Sequence, residues 1–138
     1  MKTIRLLLAI ALFIPFAACS AQTEKKDANA ASSDKIEAFY FHFTARCMTC
    51  KTVEAQAKLD IETLYPELVK QGKILFSSVN LDDASSKEIA EKLQISGQTL
   101  LLVKGNQKIN ITNEGFMYAV HQPEKFKAII KEKIDGLL

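Results

Sequence analysis

Two strand-like runs separated by a helical one, then two more separated only by a Gly-Asn turn, leave this chain few ways to fold. Residues 36–43 read Ile-Glu-Ala-Phe-Tyr-Phe-His-Phe, rich in aromatic side chains and followed by a polar break, and residues 74–81 form a second such run ending at Asp82-Asp83. Between them Val53, Ala57, Leu64 and Leu68 recur at near-helical spacing, and Pro66 is expected to break or kink that helix or to open a second short one. A helix between the first two strands makes them parallel. Residues 99–103 and 108–112 are joined through Gly105-Asn106, a hairpin signal that makes this pair antiparallel. Ser85 or Ser86 can cap a helix carrying Ile89, Ala90 and Leu93, with Glu88 as a capping-box partner. Asn113 can cap a short helix around residues 116–120, and Pro123 suits the first turn of a last helix with Phe126, Ile129, Ile130 and Ile134 on one face. The order β-α-β-α-β-β-α predicts an α/β domain over residues 35–138, a four-stranded mixed sheet with helices on both faces.

The segment before that domain reads as an address. Lys2 and Arg5 precede an uncharged apolar stretch from residue 6 to 18, which ends Phe16-Ala17-Ala18-Cys19. This is the pattern of a secretory signal, too short for the ~20 residues of a spanning helix and interrupted by Pro15. Cys19 directly after two alanines resembles the lipobox of bacterial lipoproteins, with Phe16 where leucine is commoner. The likeness implies removal of residues 1–18 and lipidation of Cys19; a plain secreted chain is the alternative. Residues 20–34 contain no large apolar side chain, so residues 19–34 are expected to be a disordered tether with a reach of roughly 20 Å. The expected location is the bacterial cell envelope, membrane-anchored and facing the periplasm or the exterior, where a membrane-bound partner is within reach. Without Lys2 and Arg5, the 18 basic residues of the chain fall to 16, equal to its 16 acidic ones. A neutral domain has no electrostatic footprint for phosphate backbones, so nucleic-acid binding is not expected, and a monomer is.

Of the 3 cysteines, Cys19 belongs to the leader, so Cys47 and Cys50 stand alone as one Cys-x-x-Cys and no disulfide framework is available. Placed where a strand gives way to a helix, Cys47 lies beside unpaired backbone N–H groups, which stabilise a thiolate. Such settings bring a thiol from a pKa of ~8.5 to about 3.5–7.5, and Arg46 pushes the same way, so Cys47 is the expected nucleophile. Cys50, one helical turn deeper, suits the resolving role, and a spacing of three puts the two Cα atoms ~5 to 5.5 Å apart, inside the disulfide window. Half a zinc site looks the same, although a tetrahedral zinc needs about four ligands and only His42, His121 and methionines remain, far apart in sequence. A structural disulfide is a further alternative, closing so short a loop that its entropic gain is small.

With its strand, Arg46-Cys47-Met48-Thr49-Cys50-Lys51 at a helix start, Asn80-Leu81-Asp82 after the second strand, and Ile95-Ser96-Gly97-Gln98-Thr99-Leu100-Leu101 leading into the hairpin, the chain resembles the thioredoxin superfamily over about 100 residues. It is similar to a reduced version of that fold, lacking the extra N-terminal strand and helix. More narrowly, residues 46–50, 96–101 and 112–119 look like the small thioredoxin-like family of the nitrophenyl compound nitroreductase subunit ArsF, which implies a redox subunit serving a partner enzyme. The resemblance implies thiol-disulfide exchange or electron transfer at Cys47 and Cys50 without an organic cofactor, with a protein disulfide or redox partner. Arg46, Met48, Thr49, Gln98 and Thr99 would modulate the site.

Three departures from the thioredoxin pattern shape the expectations. The buried acid six residues before the first cysteine is Phe41 here, so that proton relay is absent. The aromatic before the first cysteine is Arg46, which predicts a cationic rim favouring anionic partners. The cis-proline loop reads Gln98-Thr99, where a trans bond is expected. A hydroxyl in place of the proline ring keeps open a rival use of Cys47 and Cys50, the binding of a soft metal or metalloid.

Other residues carry blander readings. If Phe41 occupies the place of the acid, strand parity turns His42 away from the cysteines and leaves it structural. His121 is expected at the surface. Met48 is expected to be exposed, as a docking residue or a tuner of the redox pair. Phe116 and Met117, in the short helix of residues 113–119, are read as core, and Lys125, Lys127, Lys131 and Lys133 as the wet face of the last helix.

Overall fold

A computed structural model describes residues 34–138; the expected signal segment, Cys19 and all but residue 34 of the expected tether lie outside the described residues. Strand β1 (Ile36–His42) leads into helix α1 (Met48–Leu64). Pro66 ends that helix and opens α2 (Pro66–Lys70), since proline has no N–H to give a continuing helix but fits a first turn. Then come β2 (Ile74–Asn80), a 3-10 turn (Ala84–Ser86), α3 (Lys87–Leu93), β3 (Thr99–Lys104), β4 (Gln107–Asn110), α4 (Thr112–Tyr118) and α5 (Pro123–Asp135).

The sheet has the order β2-β1-β3-β4, with β1 parallel to β2 and antiparallel to β3, and β3 antiparallel to β4. This is the expected mixed, thioredoxin-like arrangement. The hairpin turn is Gly105-Asn106, with Gly105 at φ +56°, a conformation glycine adopts without a steric penalty.

Each strand face builds its own core. Ile36, Ala38 and Tyr40 of β1 and Leu100 and Leu102 of β3 pack with Val53, Ala57 and Ile61 of α1 and with Phe126, Ile130 and Ile134 of α5. Phe39 and Phe41, with Leu101 and Val103, pack instead with Ala90 and Leu93 of α3. Helices therefore cover both faces, as the alternation of the strands requires. Gly115 lets α4 settle against α1: a Cβ there would stand 2.8 Å from Val53 Cγ1.

Local capping differs from expectation at two helices. Helix α3 begins after Ser86, whose φ and ψ of −84° and −13° are already helical, and no side-chain cap forms, so the Ser-Glu88 capping box is not made. The preceding 3-10 turn has taken up the chain direction that an extended cap residue would supply. Helix α4 starts earlier than expected, with Ile111 as its N-cap and no side-chain cap, so Asn113 lies inside the helix; the Oδ1 of Asn110, just before it, accepts from the Thr112 N–H at 3.0 Å and from the Thr112 hydroxyl at 2.6 Å. Phe116 and Met117 are exposed, Met117 by 60%, because Gly115 and Ala119 form the inward face of α4. The core reading of that aromatic and that methionine is thus overturned.

Candidate redox site

Cys47 and Cys50 are joined by a disulfide, their Cα atoms 5.2 Å apart. The local sequence dictates the asymmetry of the pair. Cys47 is the N-cap of α1, in extended backbone conformation, and its Sγ accepts from the Cys50 N–H at 3.2 Å, the interaction by which a cap side chain satisfies an otherwise unpaired amide of the first turn. Cys50 opens the stripe that continues through Val53, Ala57 and Ile61 at helical spacing, so it faces the core and is only 6% exposed, whereas Cys47 is exposed. Of the two, Cys47 is therefore the one presented to solvent. Met48, beside them, is 75% exposed, and Thr49 is half-buried.

The neighbouring charges are arranged differently from the sequence reading. Arg46 makes an ion pair with Glu54, both side chains about one-fifth exposed. The cationic rim expected from Arg46 is therefore matched by a carboxylate from the next turn of α1. Glu54 had no sequence signal of its own, since Arg46 lies outside the helix and the usual three- or four-residue spacing does not apply.

The face of β1 turned toward the cysteines also corrects an expectation. Phe41 packs on the α3 side of the sheet, and Tyr40 points to α1. Counting six residues back from Cys47 misjudges the parity by one, which in a strand exchanges every side chain between faces. Tyr40 is fully buried, and its hydroxyl donates to the Cys50 carbonyl at 2.7 Å. Gln98 Nε2 in turn donates to the Tyr40 hydroxyl. Burial pushes the Tyr40 hydroxyl above its ordinary value, against the opposing effect of the Gln98 bond, so it remains a donor at neutral pH.

His42 shares the face of Tyr40 and stacks on it at 6.2 Å between ring centroids. Its nitrogens face Phe43 O at 2.9 Å and Ser78 Oγ at 3.0 Å. The carbonyl can only accept, so Nδ1 donates to it, and Nε2 is left to pair with the Ser78 hydroxyl. Both nitrogens are thereby occupied by partners other than the cysteines. On the loop before β3, Thr99 is buried and its hydroxyl donates to Gly97 O at 3.0 Å; the peptide bond before it is trans. That hydroxyl is committed to the loop itself. Among the described residues no three His, Cys, Asp or Glu side chains come together as a metal site would need, and no helix is long and apolar enough to cross a membrane. His121 is exposed.

No family model matches the chain, and no curated protein matches it at a significant level. One solved structure, described as that of a malarial protein, is similar at a TM-score of 0.43 and 19% identity, covering 71% of this chain and 96% of that one. The fold description rests on the chain's own topology: a small α/β domain whose cysteine pair and sheet order are loosely those of thioredoxin-type folds. A cysteine pair at bonding distance in that setting is consistent with thiol-based redox chemistry.

Proposed function

We propose that the protein is an envelope-tethered thiol-disulfide oxidoreductase or electron carrier that exchanges two electrons with a partner protein through Cys47 and Cys50. The observation that carries this reading is the asymmetry of the pair, an exposed sulfur at a helix N-cap bonded to a buried one a turn deeper. In the reducing direction the Cys47 thiolate attacks one sulfur of a partner disulfide, forming a mixed disulfide and releasing a partner thiolate. The Cys50 thiolate then attacks Cys47 Sγ, the Cys47–Cys50 bond forms, and the second partner thiolate leaves. Two electrons and, after protonation, two protons have passed to the partner; the opposite direction reverses every step.

The lipobox-like sequence at residues 16–19 and the polar stretch of residues 20–34 support a place at the membrane surface, within reach of a membrane-bound partner. The likeness of residues 46–50, 96–101 and 112–119 to the ArsF family supports a subunit role beside a partner enzyme, while no residue of the site points to a nitroaromatic substrate. The test is a redox titration against glutathione, following Cys47 and Cys50 by alkylation and mass with metal content measured on the same sample. A reversible two-electron transition without metal is expected. Stoichiometric metal protecting both thiols would overturn the reading in favour of metal or metalloid binding.

A further inference from the structure

Tyr40 has no part in the exchange steps above, yet both hydrogen bonds of its hydroxyl go to the redox site. The ring is fully buried at the middle of the sheet, at a position paired with Ser78 of β2 on one side and Leu100 of β3 on the other, so its base is held from both flanks. From there it crosses the layer to the first turns of α1 and donates to the carbonyl of Cys50 itself. The acceptor side of the same hydroxyl is taken by Gln98, on the loop that precedes Thr99. A buried tyrosine needs one partner to be satisfied. Here two come from separate parts of the site, 10 and 58 residues away in sequence.

We propose that Gln98 and Tyr40 form a positioning relay, in which the Gln98 amide holds the Tyr40 hydroxyl on the Cys50 carbonyl and so keeps Cys50 within bonding reach of Cys47. This rests on the thiol-disulfide reading above and assigns the two residues a role in setting its equilibrium. When the disulfide is reduced, the two sulfurs must separate from bonding to van der Waals distance, and any freedom Cys50 gains must be given up again when the bond re-forms. A backbone carbonyl held by a rigid donor limits that freedom, which raises the effective concentration of one thiol at the other. The relay therefore favours the disulfide, and its loss favours the dithiol. Because Gln98 acts only through the tyrosine hydroxyl, removing it after Tyr40 has lost that hydroxyl changes nothing further.

The test compares the full chain with Tyr40→Phe, Gln98→Ala and the double variant, measuring the equilibrium constant for disulfide formation against glutathione and the thermal stability of the oxidised and reduced forms. Tyr40→Phe is expected to lower that constant by about three- to tenfold, a tenfold change being ~30 mV for a two-electron couple. Gln98→Ala, in a half-buried loop position, shifts it in the same direction, and the double variant equals Tyr40→Phe. If both single variants leave the constant unchanged while the oxidised and reduced forms lose stability equally, Tyr40 is only a satisfied core hydroxyl and the relay is refuted. Additive effects would refute it too, since Gln98 would then act on its own. A wild-type protein that does not equilibrate with glutathione at all would remove the underlying thiol-disulfide reading, and the relay with it.

Discussion

Replacing Gly115 by alanine tests how α4 is seated against the helix that carries the cysteines. An alanine Cβ would stand 2.8 Å from Val53 Cγ1, with two Phe126 ring atoms at 3.5 and 3.6 Å. Carbon atoms in contact prefer about 3.5–4.0 Å, so the Val53 contact is short by roughly 0.7–1.2 Å while the Phe126 contacts are ordinary. Val53 is fully buried, and a valine in a helix has one strongly preferred rotamer, so its methyl group cannot swing away. The helix α4 must move instead, and overpacking of this kind costs about 1–3 kcal/mol. Against that, alanine is favoured over glycine inside a helix by about 1 kcal/mol. The net expectation is a loss of about 1 kcal/mol, which for a domain of about 100 residues lowers Tm by about 4–8 °C. Urea denaturation of the oxidised protein, read as a lower midpoint at unchanged slope, measures it. A cycle with Val53→Ala isolates the contact: in that background Gly115→Ala should become neutral or stabilising, because the methyl group it struck is gone. An alanine variant at least as stable as the wild type would mean that α4 is not held at this separation, and the packing argument would fail.

Glu54→Gln should leave the Arg46 guanidinium without its carboxylate partner and free to stabilise the Cys47 thiolate; in the reduced protein, alkylation of Cys47 near neutral pH is expected to rise about two- to fivefold, with a steeper salt dependence. Asp60 is buried on α1 with Oδ1 accepting from Gln56 at 2.9 Å and Oδ2 without a hydrogen-bond partner among the described residues, and burial raises its pKa above the ordinary 3.8, opposed by Gln56 and by Lys127. The folded state thus holds that proton more tightly than the unfolded one, so the contribution of Asp60 to stability is greatest below 3.8 and is lost as pH rises through the folded value. Asp60→Asn should therefore gain stability relative to the wild type as pH rises from below that range to neutral, a trend that thermal melts across pH would reveal or exclude. Gln94, the C-cap of α3, has φ +62°, so Gln94→Gly should stabilise the protein by about 0.5–1 kcal/mol, seen as a raised denaturation midpoint.

What could be read from the chain follows the range of the interactions involved. The cysteine pair, the Pro66 and Pro123 helix starts and the Gly105 turn depend on neighbours within a few residues, and all of them stand where their local chemistry places them. Capping was half legible: the polar residues were visible, but whether Ser86 caps α3 depends on the conformation of the turn before it, and Asn110 was hidden inside an expected strand. The face of β1 failed for a different reason. A strand has period two, so its inward face follows from a single reference point, and the chosen one, a fixed offset from Cys47, ran through a loop whose length is free to vary. The hydrophobic pattern could not arbitrate, because residues 38–41 are buried on both sides of the sheet. Nothing in the strand pattern sets Tyr40 apart from the other aromatics of a buried strand, and Gln98 is legible only as one of several residues modulating the site, without its partner. Their bond spans 58 residues and exists because β1 and β3 are adjacent in the sheet. The reacting atoms of this site are local in sequence and were legible, whereas the groups that hold them are brought in by strand order. In a chain of this kind, substitutions at Cys47 and Cys50 should act on whether exchange occurs, and substitutions at Tyr40 and Gln98 on where its equilibrium lies.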